Sequence, residues 1–260
     1  MSDWLGLYLR GMQAAFRGFS AAAGSRLLEL DGVIAVVNTA APERSVFNSV
    51  VYLEPEALAG AREEIVAAYA EAGCAWTVWV PEDDTATARL LDAAGHSLDA
   101  LPRAMGIELG DVEEPDLAEL DWTDGGDAET MSALNDEAYG YPTGTWIKGM
   151  GRPGDEMHIY VASVDGSPAA TVGARDREGD CSIWNVATAV NARGRGLSTA
   201  LMRRALYDAQ RRGCATSTLQ ATKLGAPVYR RCGYEDFGAL GMWELRPPRL
   251  AAQAAPGAPA

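Results

Sequence analysis

Residues Val190-Asn191-Ala192-Arg193-Gly194-Arg195-Gly196-Leu197-Ser198 join an apolar, strand-like run to an amphipathic helix through a glycine-rich, basic turn. The glycines let the main chain approach a ligand without a Cβ in the way. The first N–H groups of the following helix have no internal acceptor and lie at the positive end of its dipole. Strand, turn and helix in this order make a phosphate cradle. A bare structural turn has the same local spacing, so the flanking sequence must decide.

The wider chain narrows the choice. Its 260 residues carry a formal net charge of −14, which excludes a non-specific nucleic-acid surface built on clustered Lys and Arg. Acidic excess favours solubility and, more weakly, cationic substrates. Cys74, Cys181, Cys214 and Cys232 form no CxxC pair and only His96 and His158 offer imidazoles, so no metal site is expected. Buried, reduced thiols and a cytoplasmic location follow from that usage. No secretory core or long apolar run is present, and Met1–Phe19 reads as an amphipathic helix packed on the body, so no membrane partner is expected.

Gly110–Pro115 breaks the pattern with Asp111, Glu113 and Glu114 before a proline. That places domains at 1–110 and 117–247 with 111–116 as linker. Residues 248–260, poor in large apolar groups, are expected to form a disordered tail. In the second half, strands are expected at Met157–Val164, Ala169–Ala174, Cys181–Thr188, Ala215–Gln220 and Tyr234–Leu245, with helices near Gly196–Arg211 and Leu224–Cys232. The first half repeats part of this order: Phe47–Leu53 strand, Pro55–Ala72 helix, Trp76–Val80 strand, Thr85–Ala94 helix, Ser97–Leu109 extended. Leu90–His96 aligns without gaps to Val228–Tyr234, which suggests a tandem duplication; chance likeness of two short α/β segments is the alternative. The copies differ where chemistry matters. Glu54-Pro55-Glu56 stands where the second half has its Arg/Gly turn, and Leu91 stands where it has Tyr229, so only the second half is expected to bind a phosphate.

The strand Ile183–Thr188, the turn Arg193-Gly194-Arg195-Gly196-Leu197-Ser198 and the downstream Val228-Tyr229-Arg230-Arg231-Cys232-Gly233-Tyr234 together resemble the GNAT superfamily of acetyl-CoA-dependent N-acetyltransferases. The resemblance covers about Leu117–Leu245, with a degenerate version over Arg26–Leu109. It departs from the family pattern at the last glycine/alanine place, which is Ser198 here. The resemblance implies an α/β fold of two GNAT-like lobes, each a mixed, mostly antiparallel sheet flanked by helices, the first lobe without a cofactor site.

It further implies that main-chain N–H groups of Arg193, Gly194, Arg195, Gly196, Leu197, Ser198 and Thr199 hold the CoA pyrophosphate, with the Ser198 hydroxyl as an additional donor. Ala187, Thr188 and Val190 would pair with the pantetheine arm, which requires the strand to splay from its neighbour. An N–H near Ala187 would polarise the thioester, Tyr229 would act as general acid toward the sulfur unless it only packs its helix, and Thr222 stands where the family often has a pantetheine-contacting asparagine. Asp180, with Glu178 just before it, is the candidate base, although Arg175–Asp180 reads more readily as a charged hairpin turn. Trp184 and Asn185 alternate, so one faces the cleft and the other the core. Asn135–Trp146, rich in aromatics with Asp136 and Glu137, would either hold an amine or simply pack as a loop. His158 reads as a half-buried structural histidine. The expected partner is a small-molecule primary amine, and the expected assembly a monomer or homodimer.

Overall fold

The computed structural model describes residues 3–251. The chain begins with α1 (Trp4–Ala23), capped by Asp3, whose carboxylate accepts from the Gly6 N–H at 3.0 Å. Then come β1 (Arg26–Leu30), β2 (Val33–Val37), β3 (Ser49–Tyr52), α2 (Pro55–Ala72), β4 (Trp76–Pro81), α3 (Thr85–Ala93), β5 (Ser97–Ala100) and β6 (Arg103–Glu108). The remainder runs β7 (Trp122–Thr123), α4 (Ala128–Tyr139), α5 (Thr145–Met150), β8 (Met157–Val164), β9 (Ser167–Arg177) and β10 (Asp180–Thr188). After these follow α6 (Leu197–Arg211), β11 (Thr216–Ala221), α7 (Ala226–Arg231), β12 (Glu235–Leu245) and α8 (Pro248–Ala251). Residues 248–251 are thus a helical turn, begun by Pro248, rather than part of a disordered tail. The rest of that expectation, 252–260, lies outside the described residues.

These elements form a mixed α/β fold with two compact units that are not consecutive halves. One holds the chain up to Pro102, Lys148–Gly151 and the chain from Gly238; the other holds Arg103–Ile147 and Arg152–Phe237. A division at 111–116 follows composition, whereas these units follow strand pairing. β6 pairs antiparallel with β11, with Met105 opposite Leu219, which carries residues from 103 onward into the second unit. β12 pairs antiparallel with β4, from Leu240–Pro81 to Leu245–Trp76, which returns the end of the chain to the first.

In the first unit the strand order is β1-β2-β3-β4-β12, with β5 also on β12, and only β3 and β4 are parallel. Every residue of β2, β3 and β4 is buried. α1 and α2 both pack on β2 and β3, so they cover opposite faces, which explains strands that read as unbroken apolar runs. Residues 148–151 are gripped by Asn38, whose Nδ2 donates to the Lys148 and Gly149 carbonyls at 3.0 Å each. Only glycine fits there. A Cβ at Gly149 would lie 2.1 Å from the Phe47 ring, and one at Gly151 would lie 2.2 Å from the Ala22 backbone.

His96 is buried edge-on against Trp76, centroids 4.7 Å apart, and neither ring nitrogen has a hydrogen-bond partner. Burial holds its pKa down at about 4, against the opposing effect of the Leu91 carbonyl. The folded state therefore keeps His96 neutral while an unfolded chain protonates it near pH 6.5. The stability this represents is fully present above about pH 6.5 and is lost as pH falls toward 4, on the order of 3 kcal/mol in all. Urea midpoints measured from pH 7.5 to 4 should fall accordingly in the wild type, and His96→Phe should flatten that part of the curve. Equal slopes in both proteins would remove His96 as the cause.

In the second unit the order is β6-β11-β10-β9-β8-β7, with only β10 and β11 parallel. α6 shares a core with this sheet: Leu201, Met202, Ala205, Leu206 and Ala209 join Tyr160, Val172, Ala174 and Ile183. Each large side chain buried here contributes about 1.5–3 kcal/mol. All four cysteines are free thiols; Cys74, Cys181 and Cys214 are buried and Cys232 is half-buried. Among the described residues no helix is long and apolar enough to cross a membrane, and no group of three or more His, Cys, Asp and Glu side chains is placed to hold a metal.

Candidate active site

β10 and β11 pair in register only from Asp180–Thr216 to Ile183–Leu219. Past that point β10 continues to Thr188 on β9 alone, and β11 continues to Ala221 on β6 alone. The two strands diverge, and the side of Trp184–Thr188 that faces β11 loses its ladder. A bulge accompanies the divergence. Trp184 opposes Gly173 and Ala187 opposes Thr171, so Asn185 and Val186 together face Val172. Asn185 has φ 52°, a left-handed conformation that asparagine tolerates better than most residues, and its Nδ2 contacts the Met131 Sδ at 3.7 Å. Bulges bend a strand and re-aim its side chains. The expected alternation of Trp184 and Asn185 therefore fails, and both are half-buried. An asparagine inside an apolar strand run was the available signal.

After β10 a short 3-10 turn at Val190–Ala192 leads into Arg193 and the two glycines. Gly194 and Gly196 both have φ 79°, and a Cβ on either would meet nothing within 4 Å. The turn thus presents an open face. α6 starts after Gly196 with no side-chain cap, and its first backbone bond runs from the Ala200 N–H to the Gly196 carbonyl at 3.0 Å. The N–H groups of Leu197, Ser198 and Thr199 have no acceptor among the described residues, so this is a donor cluster at a helix N-terminus. The Ser198 hydroxyl is hydrogen-bonded to the Thr188 hydroxyl and ties the turn to the strand end. Arg193 also braces the turn, donating through Nε to the Thr188 carbonyl at 3.3 Å and through Nη2 to the Ala138 carbonyl at 3.4 Å. Exposed Arg195 lines a groove of about 230 Å³ whose rim includes Asp116 and Glu119.

Tyr229 lies on α7, packed against Gly225, where a Cβ would sit 2.9 Å from its ring, and edge-on to Tyr234 at 6.1 Å. Tyr234 is itself fixed by a 2.6 Å hydrogen bond with the Ser217 hydroxyl. The Tyr229 hydroxyl makes no hydrogen bond among the described residues. Burial raises its pKa well above the ordinary phenol value, with the nearby Tyr139 phenol and the Cys232 thiol adding to the effect. Thr222 accepts from the Gly225 N–H through its hydroxyl at 3.1 Å and from the Ala226 N–H through its carbonyl at 3.0 Å. Its side chain thus helps to start α7 as an acceptor, which leaves the hydroxyl proton able to donate.

Asp180 is not brought to this place. It stands at the other end of β10, seven residues from Ala187 and thus on the order of 20 Å away. Its two oxygens accept from the Thr216 and Thr218 hydroxyls at 2.8 and 2.7 Å. Burial raises its pKa against these bonds. It pins the β10–β11 pairing, and Glu178 sits in the adjoining turn with φ 49°. His158 opens β8 half-exposed, its Nε2 3.9 Å from an Asp176 oxygen.

Asn135–Trp146 is not one loop, since α4 continues to Tyr139 and α5 starts at Thr145. Asp136 is 1% exposed and accepts from the Gly144 and Trp146 N–H groups at 2.7 and 3.0 Å. That carboxylate closes the loop and is not available to an amine. Glu137 is likewise engaged, accepting from the Val190 N–H at 3.1 Å. The Tyr139 and Tyr141 rings stack, with centroids 5.9 Å apart, and Tyr139 remains 39% exposed.

In the first unit, polar side chains around β2 and β3 are paired within the unit. Gln13 Nε2 donates to the Val51 and Gly32 carbonyls at 3.1 Å each, and the Tyr52 hydroxyl donates to Asp84 at 2.7 Å. Glu54 occupies the N-cap of α2. The chemistry available to the second unit is to hold an anion on the turn, an extended polar arm between the diverging strands, and a reacting group beside Tyr229.

Residues 155–236 match the family model of the acetyltransferase (GNAT) domain. No curated protein matches the chain. Among solved structures, a GCN5-related N-acetyltransferase from Kribbella flavida aligns at TM-score 0.66 and 20% identity over 94% of this chain and 97% of its own. A GCN5-related N-acetyltransferase from Sphaerobacter thermophilus aligns at TM-score 0.58 and 19% identity over 83% and 78%. A tandem GNAT protein from the clavulanic acid biosynthesis pathway aligns at TM-score 0.53 and 15% identity over 82% and 78%. These likenesses concern the fold, and the domain match concerns residues 155–236.

Proposed function

We propose that the second unit binds acetyl-CoA and transfers its acetyl group directly to the primary amine of a small molecule. The observation that carries this reading is the divergence of β10 and β11 immediately before an open, donor-rich turn. The pyrophosphate would be held by N–H groups from Arg193 to Thr199, with Arg195 as the available cation. The arm would pair with the open edge around Ala187 and Thr188 as an added strand. Val190 contributes less, because its N–H is bonded to Glu137. Acetyl-CoA supplies the activated acyl group; Tyr229 donates a hydrogen bond to the sulfur as charge develops there, and an N–H near Ala187 polarises the carbonyl.

Direct transfer is supported by the cysteines of the second unit. Burial is the leading cause that raises the thiol pKa of Cys181 and Cys232 and pushes that of Cys214 up to about 12, so none is poised as a nucleophile. The first unit is read as a degenerate, cofactor-free copy. In both α3 and α7 the chain leaves the helix through the same bonds: His96 N–H to the Leu91 carbonyl at 3.0 Å, and Tyr234 N–H to the Tyr229 carbonyl at 3.1 Å. The two copies have also exchanged last strands, β6 for β12. A cytoplasmic, reduced setting suits the free cysteines, and a monomer or homodimer remains the proposed assembly.

Thiol release from acetyl-CoA, followed with a panel of polyamines, amino acids and amino sugars, tests the reading. Turnover with at least one small amine is expected. Acetyl-CoA binding with no turnover on any acceptor would instead mark a non-catalytic binding module.

A further inference from the structure

The turn that leads into α6 has little to hold it in place. Arg193, Gly194, Arg195 and Gly196 are all exposed, both glycines take φ 79°, and α6 begins at a glycine N-cap with no side-chain bond. A Ser, Thr, Asp or Asn cap would fix that start, but it would do so by accepting from the second or third N–H of the helix. Here those two N–H groups, on Ser198 and Thr199, keep no acceptor among the described residues. The start is fixed instead by a bond between two side chains, the Ser198 hydroxyl in the first turn of α6 and the Thr188 hydroxyl on the last residue of β10. That bond consumes no backbone N–H. Thr188 is itself held in the sheet, opposite Ala170 of β9, and its carbonyl takes a second tie from Arg193 Nε.

We propose that Thr188 and Ser198 are positioning residues, a hydroxyl clamp that sets the spacing between the open edge of β10 and the N–H cluster of α6 so that one acetyl-CoA molecule reaches both. The inference rests on the acetyl-CoA reading above. The pyrophosphate and the arm are covalently joined, so once one end is bound the other binds intramolecularly, and the gain is largest where the two places on the protein match the ligand's span. Residues 189–197 include two glycines, whose backbone has the most freedom to lose. The clamp closes that segment at its base before the ligand arrives, which lowers the ordering that binding must supply. Ser198, where the family pattern has glycine or alanine, is what supplies the second hydroxyl.

Calorimetric titration of Ser198→Ala, Thr188→Val and the double variant with acetyl-CoA, beside the wild type, tests the clamp. Each single variant should bind about three- to tenfold more weakly, the effect of one lost hydrogen bond, and the double variant should match the single ones, because all three remove the same bond. Thr188→Ser, which keeps the hydroxyl, should bind within about twofold of the wild type. Both positions are half-buried at the ends of their elements, so the variants are expected to fold, and thermal unfolding checks this. Whichever hydroxyl accepts in the pair keeps its own proton, so direct donation from Ser198 to the ligand is the competing account. It would weaken Ser198→Ala and leave Thr188→Val as tight as the wild type, a result that would overturn the clamp. Losses that multiply in the double variant would overturn it too, as would single variants with lowered unfolding temperatures and unchanged dissociation constants. A wild type that does not bind acetyl-CoA would overturn the functional reading together with this one.

Discussion

Replacing Gly196 by glutamate is expected to lower affinity for acetyl-CoA by more than about a hundredfold, or about 2.7 kcal/mol, while the protein stays folded. Gly196 has φ 79°, so any L side chain there carries strain of about 1–2 kcal/mol. Its Cβ would meet no protein atom within 4 Å, so nothing in the protein itself needs to move. The new side chain stands at the N-cap of α6, next in sequence to the N–H groups of Leu197, Ser198 and Thr199. A carboxylate there competes for the same donors and repels a pyrophosphate at the positive end of α6. Gly196→Ala separates the two effects: it carries the strain without the charge and should weaken binding by no more than about tenfold. Calorimetric titration with acetyl-CoA reads both variants, and thermal unfolding confirms that they fold. An unchanged dissociation constant for the glutamate variant would remove the turn from the binding site.

Much of the local structure was legible because hydrophobic period and stop signals act over a few residues. Pro55–Ala72 and Met157–Val164 appear as read, and α6 begins one residue after the expected Gly196. Pairing between distant strands was not legible. Nothing in Arg103–Glu108 or Gly238–Leu245 announces that each serves the other half's sheet, because a strand's pattern records its burial and not its neighbour's identity. At the candidate site the backbone conformation was the legible part: Gly194 and Gly196 have the positive φ that glycine is suited for. The site was less legible where a side chain's partner decides. In sequence Asp180 reads as a base or a charged turn and Asp136 as part of an amine-holding or packed loop, yet both are buried because neighbouring hydroxyl or backbone donors satisfy their oxygens. Ser198 also has a partner within the protein, the Thr188 hydroxyl, that its place in the sequence does not announce. Residue type and spacing indicate what a polar group is able to do, and the three-dimensional partner determines whether it remains free to do it.

Tyr229→Phe should then lower kcat by about a hundredfold, with acetyl-CoA affinity near wild type and unfolding temperature little changed. The hydroxyl makes no hydrogen bond within the described protein, so its removal breaks no protein–protein contact. The ring keeps its packing against Gly225 and Tyr234. A loss of rate without a loss of stability is therefore the signature of a group that works only when substrate is present. The raised pKa sets its form of action. A phenol above its ordinary value of 10 is a weaker acid than a thiol near 8.5, so complete proton transfer from Tyr229 to a departing thiolate is uphill. Hydrogen-bond donation that strengthens as charge gathers on sulfur is not, and the amine's own proton completes the exchange. Tyr229 should accordingly stay protonated across the usual assay range, and kcat should show no alkaline decline from this group below about pH 10. If Tyr229→Phe turned over at the wild-type rate from pH 6 to 9, the tyrosine would be a packing residue and the sulfur would have to find its donor elsewhere.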